Sequence, residues 1–373
     1  MNKQTIFNFI DTINVGYKRR SKILVFESDD WGAIRMRDSS SFNRLKDKGY
    51  PVDNCPYNSF DSIEMNDDVE RLADVLYKHK DVDGEFAKFT LNVVMSNPNF
   101  DKIKASGYEK YSFQKIKDTY EEYPNSDRVL DLIQSGKKNG IFQVQYHGRE
   151  HLNVSRWLSD LRGGFKPLMD VFEERMYSPK LPKVIGYDME YMDAYDSDSQ
   201  FDSQNKALIA NEGLNMFKDE FGFSSTSFIA PCYRWNEDIE KLVSKNNIRY
   251  LQGIRIQCVS YPFKTYQYKT RRHFMSQKNI YGQTYFVRNV FFEPSTKFNF
   301  NWVDSSLKQI SQAFNLGLPA IVSSHRLNYI SRLKTSNRDN NLQMLNSLLS
   351  EVKRLYPEVI FMTSDQLGDY MTN

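Results

Sequence analysis

Three of the chain's five histidines follow short apolar runs, and so does a pair of adjacent aspartates. His147 and His151 stand in YHGREH after IFQVQ, His325 stands in SSHRL after AIV, and Asp29 and Asp30 stand in ESDDWG after KILVF. A His-x-x-x-His spacing on a helix puts two imidazoles on one face, about one turn apart, so both reach one metal ion. Tyr146 ends the apolar run, and Gly148 permits a tight strand-to-helix turn. Adjacent carboxylates at a strand end are unfavourable to bury unless something positive compensates them. A metal ion does so: one carboxylate ligates it, and the other, left free, takes a proton from water. The plainer alternative is a helix N-cap with a spare acid. His325 is either a general acid or a hydrogen-bonded histidine at a strand end. Together these residues supply three ligands, a spare carboxylate and a spare imidazole, the pattern of a catalytic rather than a structural zinc site. His79, in a Lys-flanked helical stretch, is expected in solvent, and His273 lies in a basic stretch.

Such residues converge only if the strands that carry them lie side by side. Strands are expected at Lys22–Phe26, Phe89–Val94, Ile141–Tyr146, Thr226–Ile229, Arg249–Gln252, Tyr285–Val290, Ala320–Ser323 and Val359–Met362. Helical patterns fall at Asp67–His79, at Ser126–Lys137 with Ser126 as N-cap, at Asn153–Phe172 and from Ser364. Strands separated by helices imply βαβ units and a parallel sheet, whose carboxyl ends are where sites are built. Two stretches interrupt the alternation. Residues 186–204 are acidic, but Asp193, Asp196 and Asp198 lack the glycine and closing glutamate of a calcium loop, so a solvated loop is expected. Residues 263–278 mix basic and aromatic residues and are expected either to form a surface hairpin or to contact an anionic sugar or lipid headgroup.

Lys plus Arg number 50 against 47 Asp plus Glu, a balance that excludes a dedicated nucleic-acid binder. Hydrophobic content of 40% with 26% charged residues excludes a disordered chain. Aromatic residues make up 14%, which implies a large core and also suits sugar-binding clefts. Cys55, Cys232 and Cys258 are too few and odd in number for a disulfide framework, so a reducing, cytoplasmic setting is expected. No apolar run is long enough to span a bilayer. Within Met1–Arg20, Ile6, Phe9, Ile10 and Ile13 repeat at helical spacing, while Asn8 and Asp11 break any secretory apolar core. The expected organisation is an amphipathic helix and lead-in over residues 1–21 and one domain over 22–373.

The order Asp-Asp, His-x-x-x-His, a Pro-containing loop and a late His resembles the polysaccharide deacetylases of carbohydrate esterase family 4, with their NodB-homology fold. The family's Thr-Phe-Asp-Asp is similar to Glu27-Ser28-Asp29-Asp30, and its His-Ser/Thr-x-x-His to His147–His151. Its Arg-Pro-Pro-Tyr-Gly loop resembles Ile229-Ala230-Pro231-Cys232-Tyr233, its Leu-x-His resembles Ser323-Ser324-His325, and its terminal strand and helix resemble FMTSDQL. The resemblance spans roughly Lys22 to Tyr370 and implies a distorted (β/α) barrel of about seven parallel strands. It implies Asp29 as base, Asp30, His147 and His151 as ligands of a divalent metal, and His325 as acid. Because His325 follows a separate strand far along the chain, it is expected to approach from the side opposite the base. The implied metal is zinc, with cobalt, manganese and nickel as alternatives, and the implied substrate is an acetylated sugar or oligosaccharide. Ile229 replaces the family's arginine that pairs with the base, so the charge must come from Arg234, Arg288 or Arg326. The family's Asp-Trp fourth motif has no clear counterpart; RNVFFEP, with Arg288 and Glu293, stands near its place. Cys232 falls where a backbone N–H would help hold the oxyanion, with Tyr233 beside it, and Trp31 or Trp235 is expected to contact sugar. The expected activity is metal-dependent C–N hydrolysis that removes acetyl groups from an N-acetylated sugar or polysaccharide precursor. The alternatives are hydrolysis of a non-sugar amide or cyclic imide, and a catalytically inactive glycan-binding protein.

Overall fold

The computed structural model describes residues 21–178, 191–260 and 268–372. The expected N-terminal helix lies outside the described residues, as do residues 186–190 and 263–267 of the two interrupting stretches. The strands are β1 (Ile23–Trp31), β2 (Phe89–Val94), β3 (Ser96–Pro98), β4 (Phe113–Lys115), β5 (Phe142–Gly148), β6 (Ser227–Phe228), β7 (Tyr250–Gly253), β8 (Ile256–Val259), β9 (Lys269–Arg272), β10 (Thr284–Val287), β11 (Val290–Phe291), β12 (Ala320–His325) and β13 (Ile360–Met362).

The main sheet runs β10-β7-β6-β5-β2-β1-β12-β11, and every pair in it is parallel. Its two ends are neighbours in the chain, separated only by Arg288 and Asn289. The Arg288 N–H donates to Gly253 of β7 at 2.8 Å, and the Asn289 N–H to Ile321 of β12 at 3.1 Å. β10 and β11 are thus one bent strand that closes the sheet into a barrel of seven staves, the expected α/β architecture. β13 lies outside the ring, paired with Ile23–Val25 of β1. Parallel pairing needs crossovers, here made by helices such as Asn66–Leu76, Val129–Lys138, Glu237–Lys245 and Trp302–Asn315. β1 and β2 are buried along their whole length, including the polar Glu27, Ser28, Thr90 and Asn92. Phe26 stacks on Phe89 across them, with ring centroids 4.8 Å apart.

Local expectations shift where tertiary contacts compete. The helix expected from Ser126 starts at Val129, and Ser126 Oγ donates instead to the Glu64 carbonyl at 2.6 Å. The expected Asn153–Phe172 helix is two, Val154–Arg162 and Lys166–Glu173, broken at Gly163–Gly164. The long helix Gln200–Phe221 was not foreseen, because its apolar residues are not confined to one face: Phe201 and Leu208 are exposed. Asp193 and Asp196 are buried rather than solvated. Arg156 Nη1 sits 3.2 and 2.8 Å from their carboxylates, and Arg234 Nη1 3.6 and 3.7 Å. Cations from distant segments, which the local sequence does not reveal, make that burial tolerable. His79 is likewise buried, its Nε2 2.9 Å from Asn346 Oδ1. β9, within the stretch expected to form a hairpin, pairs instead with β8, which precedes that stretch, and His273 just after β9 is buried and stacked on Tyr285 at 3.8 Å.

Candidate active site

Successive strand residues point to opposite faces, so two adjacent aspartates on a regular strand cannot share a site. In β1 the pairing with β2 breaks between Ser28 and Trp31, and Asp29 and Asp30 occupy the break. Asp30 has φ +73°, a left-handed conformation that aspartate tolerates better than most side chains. The bulge turns both carboxylates toward one cavity at the carboxyl end of the barrel. A second break, between Val93 and Val94 of β2, leaves His147 of β5 in a bulge of its own. Gly148 follows at φ +147°, where a Cβ would also press on the Glu150 carbonyl at 3.0 Å. The chain then bends through residues 149–152 with no helical turn, and the next helix starts at Val154. His147 and His151 are therefore not on the helical face expected from their spacing. A strand end and a bend bring their rings together instead, with centroids 5.0 Å apart.

His147 Nε2 and His151 Nε2 each lie 3.2 Å from Asp30 Oδ1, all three residues are buried, and one ligating atom from each falls within 4.8 Å of the others. His147 Nδ1 lies 2.9 Å from the Ile229 carbonyl, which can only accept, so Nδ1 carries the hydrogen and Nε2 is left for the site. Two imidazole nitrogens face one buried carboxylate oxygen, an arrangement that a shared cation would satisfy. Nitrogen, nitrogen and carboxylate oxygen are zinc-type donors, and these three residues fit a divalent metal. Burial pushes the Asp30 carboxyl up, but the charge and hydrogen bonds of His151 and His147 outweigh it and hold it well below the usual range.

Asp29 is held by a different partner. Arg288 Nη1 and Nη2 bind its two oxygens at 2.6 and 2.7 Å, and Asn92 Nδ2 donates to Oδ1 at 2.8 Å. Arg288 Nε also binds Glu27 Oε2 at 2.6 Å, so one fully buried guanidinium spans two carboxylates. Of the three arginines open from the sequence, Arg288 is the one beside Asp29; it sits at the bend between β10 and β11. Burial pushes the Asp29 carboxyl up, and Arg288, His147 and His325 together bring it below its ordinary value. Arg326 instead binds Asp61 and Glu64 at 2.9 and 2.8 Å, and Arg234 lies over the Tyr268 ring beside Asp193.

His325 is the cross-strand register partner of Asp29. Its Nε2 stands 3.8 Å from Asp29 Oδ2, and its Nδ1 is 2.6 Å from Glu293 Oε1. Acid and base candidates therefore sit side by side, not on opposite sides as expected, because β12 is the immediate neighbour of β1. Burial pulls the His325 imidazole down, but the charge and hydrogen bond of Glu293, helped by Asp30 and Asp29, raise it to about 10.

The cavity holds about 300 Å³ and is lined by Asp29, Asp30, His147, His151 and His325 together with Arg35, Cys55, Tyr57, Met192, Ala230, Cys232 and Tyr233. Neither tryptophan singled out for sugar contact reaches it. Trp31 is fully buried with its N–H on Ser28, and Trp235 is buried with its N–H on Glu240. Tyr233 lines the cavity, but its backbone N–H is spent on the Ala230 carbonyl at 3.0 Å and its hydroxyl lies 3.3 Å from Arg288 Nη1. Cys232 and Tyr233, both on the wall, have positive φ, at 55° and 56°. Burial keeps the Cys232 thiol protonated, so it is not a thiolate nucleophile. Tyr57, Arg35, Asn92 and Glu27 carried no signal. Tyr57, Arg35 and Asn92 lie outside the motifs, and Glu27 stands within the first one, two residues before Asp29, without a role assigned to it.

No family model matches the chain, and no curated protein matches it. Among solved structures, it is similar to a chain from Mycobacterium smegmatis assigned as a polysaccharide deacetylase, at 12% identity over 94% of this chain and 90% of that one, with a TM-score of 0.46. A chain from Pseudomonas aeruginosa PAO1 with the same assignment gives 10% identity, 94% and 91% coverage and a TM-score of 0.45. Puue allantoinase gives 10%, 94% and 90%, and 0.45. What the site can do is decided by its own side chains.

Proposed function

We propose that the chain is a metal-dependent C–N hydrolase that removes an acetyl group from an N-acetylated sugar or a polysaccharide precursor. The observation that carries this reading is the convergence, in one cavity, of the Asp30–His147–His151 set with Asp29–Arg288 and His325–Glu293. Asp30, His147 and His151 would hold a divalent metal, which when bound would supply Lewis-acid polarisation of the acyl group. Asp29, kept ionised by Arg288, takes the proton from the attacking water. His325 enters the reaction protonated and gives its Nε2 proton to the departing nitrogen, while Glu293 holds Nδ1–H and with it the ring. Asn92 and Arg288 together fix the Asp29 carboxylate.

A second reading, hydrolysis of a small non-sugar amide or imide, is favoured by the modest cavity volume and by the absence of a tryptophan face on its wall. An acetate-release screen of N-acetylated oligosaccharides, run beside an imide-opening assay on the same metal-loaded preparation, separates the two. Acetate from none of the sugars, with an imide opened, discards the sugar reading.

Metal content is the first check. The purified chain is expected to take up about one zinc ion, and His151→Ala to lose it with little change in fold. Unchanged zinc stoichiometry by elemental analysis of that variant removes His151 from the ligand set.

The pH profile follows from the sign of the His325 shift. A raised histidine is the charged, useful form below its pKa, so both its acid role and its stabilising pairing with Glu293 are lost as pH rises through about 10. kcat/KM for an amide is expected to fall on that alkaline limb. Glu293→Gln removes the main raising charge and should move the limb down toward the ordinary histidine value of ~6.5. A limb that stays in place in Glu293→Gln assigns it to another group.

A further inference from the structure

Tyr57 has no part in the reading above, yet it stands where the reaction would take place. It belongs to the short helix Pro56–Phe60, which packs against the turns Pro294–Thr296 and Arg326–Asn328, the residues that follow Glu293 and His325. Its ring lies perpendicular to His325, at 89° and 5.5 Å between centroids, and the Arg35 guanidinium carbon lies 5.5 Å from its centre. These contacts hold the ring in the wall of the cavity that also presents Asp30, His147, His151 and Asp29. The cavity's other phenol, Tyr233, accepts from Arg288 Nη1 at 3.3 Å, which ties its oxygen to the Asp29 side of the cavity, and the Tyr233 backbone N–H is spent on the Ala230 carbonyl. The cysteine thiols on the wall are weak donors. Burial, then the charges of Glu293 and Asp30, push the Tyr57 phenol well above its ordinary value, so it is a donor across the working pH range.

We propose that Tyr57 is a further catalytic residue, its O–H donating to the scissile acyl oxygen as that oxygen gains negative charge. A donor aimed at developing charge is worth more in the transition state than in the ground state, so its loss falls on kcat rather than KM. The assignment rests on the hydrolase reading, and its test carries a binding readout that does not depend on turnover.

Tyr57→Phe keeps the ring and its contacts with His325 and Arg35 and removes only the hydroxyl. It is expected to keep its zinc, to lower kcat by about 10²-fold, as loss of one oxyanion donor does, and to leave KM within about threefold. Acetohydroxamate, whose oxygens mimic the charged acyl oxygen, is expected to bind the zinc-loaded variant about tenfold more weakly than the parent, read by calorimetry. Tyr57→Leu should lose little more than Tyr57→Phe. A Tyr57→Phe protein with parental kcat and parental hydroxamate affinity overturns the proposal, as does a loss confined to Tyr57→Leu, which assigns Tyr57 to packing. If the parent neither releases acetate from an amide nor opens an imide, the hydrolase reading fails, and the hydroxamate comparison still decides whether the Tyr57 hydroxyl donates to a ligand oxygen: weaker binding to Tyr57→Phe supports it, while equal binding, or no binding by the parent, overturns it.

Discussion

Asp29→Asn is expected to retain the metal and to lose ~10²–10⁴-fold of amide hydrolysis, the usual cost of a missing general base. Asparagine has nearly the shape of aspartate, so the bulge that carries residues 29 and 30 has no steric reason to relax. Asp30 still faces His147 and His151 at 3.2 Å, and the proposed ligand set is intact. What changes is that a neutral amide cannot take a proton and offers Arg288 one acceptor where the carboxylate offers two. Acetate release and zinc content, measured on the same preparation, check both halves. Ordinary turnover with zinc retained would falsify the base role, and loss of zinc would place Asp29 among the ligands.

The largest effect on stability is expected at Arg288. Its guanidinium is fully buried between Glu27 and Asp29, which are themselves 0% and 2% exposed. Removing one member of a buried charge network typically costs about 3–5 kcal/mol, because the others stay behind uncompensated. Arg288→Met should therefore destabilise the barrel by that order in urea unfolding and abolish hydrolysis. Burial first, opposed by Arg288, already holds the Glu27 carboxyl above its ordinary value, so without Arg288 it is the group that takes up a proton. The pair Glu27→Gln with Arg288→Met should then be more stable than the Arg288→Met single variant, without regaining activity. If the single variant unfolds at the parental urea concentration, the charges are not coupled as the contacts imply. If the double variant is no more stable than the single one, the cost lies in packing at the strand bend.

The expectations that held were those that rest on local sequence. KILVF is legible as a strand from its apolar run, and FTLNVV and IFQVQY from their alternation of apolar with polar residues. Chemistry-bearing residues at the ends of such runs are legible too, since a strand's carboxyl end is where a parallel barrel opens. The expectations that moved were those that depend on a partner far along the chain. The acidic stretch around Asp193 reads as solvated until Arg156 and Arg234 are placed beside it. The tryptophans near the motifs suggest a sugar platform until the packing of Trp31 and Trp235 is known.

The sequence by itself determined which residues stand at the strand ends, Asp29, Asp30, His147 and His325, and that strands alternating with helices must pair in parallel. Tertiary structure alone decided how those residues face one another. The His-x-x-x-His pair converges through a strand bulge and a bend rather than a helical turn, a choice made by pairing with β2 and not by the spacing of the two residues. Arg288 reaches Asp29 because the bent strand closes the barrel between β7 and β12, joining residues 259 positions apart. His325 lies beside Asp29 because β12 pairs with β1. The physical reason is common to all three: local propensity sets the backbone of a segment, whereas the partner of a buried charge is set by which strands become neighbours, and sheet order is not written in any one segment.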